Sequence, residues 1–234
     1  MLYQGLAQKA AKKAREIANV DGNARKGFTG PAAELGRMLH MAEAFEGNLL
    51  VDVMATHLDQ LSGYTARRRV RVPLHRDALL LAIAGTDDVP ESELRHIPTG
   101  RSTSIDLLLH WPDGHVTTYE IKRGADAIGR DHLRQRLDNM RALRLVGRDM
   151  ARSLLNTPVE SFSQYVISYY GASNFPAEMT IPGPELDAHF GVDLIAVIEA
   201  HLQFFRYRLD LAVPGLTGDA RAPSLRSGSW ANAA

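Results

Sequence analysis

Three side chains near the middle of the chain have the types and spacing for chemistry on a phosphate. Asp106 is a lone carboxylate in the apolar run Ile105-Asp106-Leu107-Leu108-Leu109, and after thirteen intervening residues comes Glu120-Ile121-Lys122. Residues two apart on a strand share a face, so Glu120 and Lys122 point the same way. Asp106 joins them where the register of the two strands allows. Two carboxylates on one sheet face are costly to bury without a counter-charge. A hard divalent cation supplies one, because Mg2+ takes carboxylate oxygens and keeps several waters. Such an ion polarises a phosphate and makes bound water a nucleophile. The Lys122 ammonium can hold that water and offset the charge developing on phosphorus.

Other chemistries are excluded by what the chain lacks. It has no cysteine, so disulfides, thiolate metal sites and cysteine nucleophiles are impossible. There is no GxxxxGK[ST] or GxGxxG run, and no GxSxG. The nine histidines form no HExxH pair, and His110 and His115, on either side of a turn, read as surface residues.

The elements that must position the three residues follow from periodicity. Pro112-Asp113-Gly114 is a turn between strands at Ser104–Trp111 and Val116–Lys122, which makes a hairpin. Upstream, a helix over 2–20, a helix from Pro31 to about Ala44 and a helix over 48–61 are expected, with Gly47 separating the last two. Tyr64 to Val72 alternates as a strand ending at Pro73, with Arg67, Arg69 and Arg71 on one side. The short apolar run Ala78–Ala84 reads as a buried strand, and Gly85 to Arg101 as a loop. Downstream come a long helix over 127–155, a strand at Phe162–Tyr170, a loop at Ser173–Pro184 and a helix at Glu185–Phe204. Phe205 to Val213 fits either an edge strand or a continuation of that helix. The sum is α/β: a mixed central sheet of about four to five strands flanked by helices, with an N-terminal helical extension. The expected organisation is a basic helix or arm over 1–30, an α/β domain over 31–213 and a disordered tail over 214–234.

Asp106 with Glu120-Ile121-Lys122 resembles the PD-(D/E)XK nuclease superfamily, which includes restriction and repair endonucleases. Ile105 stands where the family name has proline. The resemblance implies that Asp106 and Glu120 bind Mg2+, with Mn2+ as an alternative, and that Lys122 positions the attacking water. It also implies a glutamate on a helix before the first core strand. Glu46 is the best match, with Glu34 and Glu43 as rivals. The family's order of helix, three strands, helix and strand agrees with the elements read from 46 to 170. The implied activity is endonucleolytic hydrolysis of DNA, in preference to RNA, by a compact restriction-type enzyme acting as a homodimer so that two strands are cut. Repair, toxin and mobile-element roles stay open. The alternative is a nucleic-acid-binding or interaction module on a nuclease scaffold without catalysis.

The charge pattern bears on the partner. Among 234 residues, 27 basic side chains balance 27 acidic ones, a sum that argues against a polyanion. The distribution does not: residues 122–152 carry nine basic residues against four acidic, while 153–205 carry six acidic residues and no Lys or Arg. Arg67, Arg69, Arg71, Arg123, Arg130 and Arg134 are the candidate phosphate contacts. Of five lysines, four lie in the first 26 residues and the fifth is Lys122, in a region that otherwise uses arginine. A compact ammonium suits a place beside a metal-bound water, and a planar guanidinium does not. The basic stretch Lys9 to Arg15 follows Met1-Leu2-Tyr3-Gln4 without an apolar segment, and no run approaches 18 apolar residues. Neither a signal peptide nor a membrane span is expected, which gives a cytoplasmic protein.

Overall fold

The computed structural model describes residues 2–19, 31–85, 97–124, 129–171 and 173–213. In chain order the elements are α1 (Gln4–Ala18), α2 (Pro31–Asp59), β1 (Thr65–His75), α3 (Arg76–Ala84), β2 (Pro98–His110), β3 (His115–Lys122), α4 (Arg130–Leu155), β4 (Ser161–Ser168), β5 (Thr180–Pro182), α5 (Leu186–Phe190) and α6 (Leu194–Ala212). They form two compact units, Met1–Met54 with Gly191–Ala234, and Ala55–Phe190. The architecture is α/β, as its periodicities require. Among the described residues no helix is long and apolar enough to cross a membrane.

In the first unit α1 packs along α6. Leu6, Ala7, Ala10, Ala11, Ala14 and Ile17 are buried, one stripe of a helix with two polar sides. The segment read as an arm is therefore packed over residues 4–18. The Tyr3 backbone N–H donates to His201 Nε2 at 2.9 Å, and Lys9 pairs with the buried Asp52. Residues 31–59 form one helix, not two. Gly47 does not break it, since a lone glycine costs a helix only about 1 kcal/mol, and buried Phe45, Leu49, Leu50 and Val53 continue one face through it.

The second unit holds a five-stranded sheet, among the described residues, in the order β1-β2-β3-β4-β5. β1, β2 and β3 are antiparallel neighbours, while β4 runs parallel to β3 and β5 parallel to β4. The β2–β3 hairpin turns at Gly114, whose φ of 84° favours glycine. The antiparallel β2–β3 pair comes from that local turn, and the parallel β3–β4 pair needs the crossover that α4 makes. One face of the sheet packs on α4 through Leu108, Val116, Phe162, Leu143 and Met150. Gly147 allows this approach: a Cβ there would lie 2.2 Å from the Phe162 ring. A second set of side chains is aromatic. Tyr119 and Tyr165 lie beside His189 and Phe190 of α5, and Trp111 stacks on Phe190 at 6.1 Å.

Several sequence expectations are corrected. The run Ala78–Ala84 is not a strand but most of α3. His75 caps that helix, its Nδ1 accepting the Ala78 N–H at 3.1 Å, and Gly85 closes it at φ 74°. Ala78 and Ala82 then pack on Ala142, Leu145 and Val146 of α4. β1 does not stop at Pro73, because β1 is the sheet edge, where proline's missing N–H is tolerated. Arg69 lies at φ 52°, which breaks the alternation expected across 67–71. β2 begins at Pro98, so the end of the expected 85–101 loop is strand; residues 86–96 lie outside the described residues. The expected 173–184 loop contains β5, whose one buried residue, Ile181, is too little for a periodic signal. The helix at 185–204 is interrupted at Gly191, and 205–212 continues α6. The expected tail over 214–234 lies outside the described residues.

Candidate functional site

The hairpin register determines which side chains meet. Backbone pairing of β2 with β3 runs from His110↔Val116 to Leu107↔Tyr119. One residue past that pair, the Asp106 side chain takes over: its Oδ2 accepts the Ile121 N–H at 2.8 Å. Ile121 is the residue between Glu120 and Lys122, so the aspartate is tied to the backbone that carries the other two. On β3 itself, Lys122 Nζ donates to Glu120 Oε1 at 2.7 Å, the same-face placement that a two-residue step on a strand dictates. Asp106, Glu120 and Lys122 thus form one cluster at the end of the hairpin.

The electrostatics agree with that proximity. Burial, and then the neighbouring Glu120 charge, hold the Asp106 carboxyl above its ordinary range, against the opposing pull of the Ile121 amide, Lys122 and Arg136. A carboxyl destabilised in its charged form by a second carboxylate is relieved by a cation between or beside them. Mg2+ fits such a donor set, since one or two carboxylates and several waters complete its shell. Asp106 and Glu120 are the residues that would hold it. Among the described residues no third Asp, Glu or His completes an all-protein site.

Glu46 belongs to the first unit, on α2, where it is buried. Arg206 grips it at both oxygens, Nε to Oε1 at 2.8 Å and Nη2 to Oε2 at 3.2 Å. Glu34 and Glu43 also lie on α2, half-buried and exposed respectively. The candidate arginines divide. Arg67 donates to the Leu154 carbonyl at 2.8 Å and Arg71 to Ser102 Oγ at 2.6 Å. Arg67 therefore ties β1 to the C-terminal end of α4. Arg123 lies 5.5 Å over the Tyr170 ring. Arg69, Arg130 and Arg134 are exposed.

One further residue meets the cluster that its sequence motif does not single out. Arg136 Nη1 lies 3.3 Å from Glu120 Oε1, the same oxygen that Lys122 contacts. Arg136, Asn139, Met140 and Leu143 line a small pocket with Glu120 and Thr118. Their i, i+3, i+4, i+7 spacing was available as a signal. It distinguishes Arg136 from Arg130 and Arg134 once Leu143 is known to be core.

Comparison of the chain with protein-family models, with curated proteins and with solved structures returns no match.

Proposed function

We propose that the chain is a Mg2+-dependent endonuclease that hydrolyses DNA phosphodiester bonds in the manner of the PD-(D/E)XK enzymes that its motif resembles. The observation that carries this reading is the bond from Ile121 N–H to Asp106 Oδ2. It joins a carboxylate distant in sequence to the backbone between Glu120 and Lys122, so an acid-acid-lysine group exists in space and not only in the sequence. A bound Mg2+ supplies Lewis acidity to the phosphate and to a water. Asp106 and Glu120 hold that charge in place. Lys122 donates to the attacking water and offsets charge on the phosphate oxygens. The water oxygen forms the new bond to phosphorus, and the bond from phosphorus to the leaving sugar oxygen breaks. The two protons of the water end on the leaving oxygen and, after ionisation, in solvent. DNA as substrate in preference to RNA, a homodimer and a cytoplasmic location belong to the same proposal. Mn2+ is the natural substitute ion.

A second reading has one observation in its favour. Glu120 already carries two cations, Lys122 and Arg136, and a self-neutralised cluster suits a binding module without catalysis.

Nicking of supercoiled plasmid separates the two readings. The nuclease reading requires relaxed and linear product with Mg2+, none with EDTA, and a loss of about a hundredfold or more in Lys122→Ala. Cleavage that survives both EDTA and Lys122→Ala overturns it, as does no cleavage by the wild type with either Mg2+ or Mn2+.

A further inference from the structure

Glu120 Oε1 receives two cations of different character. Lys122 reaches it from the same strand at 2.7 Å, and Arg136 reaches it from α4 at 3.3 Å. The side chain of Arg136 is 42% exposed, against 27% for Lys122 and 11% for Glu120. Arg136 is thus the more loosely held of the two and the one nearer solvent. Its helix position is secured independently by Leu143, buried two turns further along the same side of α4. The guanidinium can leave Glu120 without disturbing the helix.

The charges favour such a move. Asp106 and Glu120 are formally balanced by Lys122 and Arg136. A divalent cation on the two carboxylates leaves the cluster two charges positive, which weakens the hold of Glu120 on Arg136. A phosphodiester carries one negative charge and gains another in the transition state. An arginine fork matches phosphate oxygens in a geometry that an ammonium does not.

We propose that Arg136 is a catalytic residue that rests on Glu120 in the metal-free site and moves to a non-bridging oxygen of the scissile phosphate when Mg2+ binds. This rests on the nuclease reading and extends it, because it assigns the transition-state charge to a residue outside the Asp106, Glu120 and Lys122 motif.

The test uses the full chain and two readouts. In Arg136→Gln, calorimetric titration with MgCl2 alone should show binding up to about fivefold tighter, the scale of losing one partly exposed ion-pair competitor. Single-turnover cleavage of a DNA duplex at saturating Mg2+ should slow by about a hundredfold to a thousandfold, with the duplex concentration for half-maximal rate little changed. Tighter metal with slower chemistry is a combination that a purely structural arginine does not produce. Arg136→Lys covers the case in which Arg136→Gln fails to fold. It keeps the charge, so Mg2+ affinity should stay near wild type while most of the rate is lost. Wild-type cleavage rates in Arg136→Gln, or in Arg136→Lys where only that variant folds, overturn this inference and leave the nuclease reading intact. In Arg136→Gln, so does a rate loss with Mg2+ binding unchanged or weaker. A wild-type chain that neither binds Mg2+ nor cleaves overturns both.

Discussion

The carboxylate of Asp106 accepts the backbone N–H of Ile121 at 2.8 Å, where the β2–β3 backbone pairing has just ended. A side chain thus does what the next backbone carbonyl would otherwise do, and it holds Asp106 in a fixed orientation beside Glu120. The arrangement is costly in one respect: the carboxyl sits partly buried next to a like charge, and its affinity for a proton rises. Sites that perform chemistry characteristically hold such groups.

That proton makes the stability of the fold depend on pH. The folded protein binds it more tightly than the unfolded chain, whose aspartate has the ordinary value of 3.8. The stability this group contributes is full below that value and is lost as pH rises through the raised folded value. Asp106→Asn cannot ionise and keeps an oxygen for the Ile121 amide. In EDTA, thermal melts should show Asp106→Asn gaining on the wild type between about pH 4 and about pH 8. A difference that stays flat or reverses over that interval contradicts the placement. Mg2+ binding by the wild type should rise over the same interval, since the ion competes with the proton.

His189 makes the opposite pH dependence. Its Nε2 lies 2.9 Å from the Tyr119 hydroxyl, and burial lowers its proton affinity below the ordinary 6.5. Stability from this group is present above 6.5 and is lost as pH falls through the lowered value. His189→Gln should therefore lose less stability than the wild type between about pH 7 and about pH 5, as read by urea midpoints at each pH. Equal losses would show that His189 is not buried in this cluster.

Gly147 measures how closely α4 lies on the sheet. A Cβ there would fall 2.2 Å from the Phe162 ring, which is packed and cannot swing aside freely. Gly147→Ala should cost about 1–3 kcal/mol by denaturant unfolding, despite alanine's better helix propensity. A stabilised variant would place α4 further from β4 than described.

Glu46 separates structure from metal binding. Both of its oxygens are engaged by Arg206. Glu46→Gln should lower stability by about 1–3 kcal/mol, since a charged hydrogen-bonded pair loses one partner, and should leave Mg2+ affinity within about twofold of wild type. A loss of Mg2+ binding of tenfold or more, about 1.4 kcal/mol, would make Glu46 a ligand.

Much of the Asp106, Glu120 and Lys122 cluster is legible in the sequence, because its logic is local. Pro112-Asp113-Gly114 fixes a hairpin, and a hairpin places Asp106 opposite the Glu120 strand whatever surrounds it. Elements whose identity depends on distant contacts are not legible in this way. Ala78–Ala84 has no period that separates helix from buried strand, and its helical state depends on the His75 cap and on alanine contacts with α4. Gly47 reads as a break because the packing that carries α2 through it is tertiary. Arg136 was hidden among the basic residues of α4, since charge alone does not say which side of a helix faces a pocket. β5 offered three residues and one buried isoleucine, below what any periodic reading detects.

Single-turnover cleavage of an end-labelled DNA duplex by the wild type and by Glu120→Gln, each with Mg2+ and with EDTA, decides whether the Asp106, Glu120 and Lys122 cluster acts through a metal ion. Glutamine keeps the shape of the side chain and removes the charge that would hold the ion. Mg2+-dependent cleavage by the wild type, reduced at least about a hundredfold in a folded Glu120→Gln, is the predicted result. Equal rates in the two proteins, or a wild-type rate that EDTA does not change, would contradict the account.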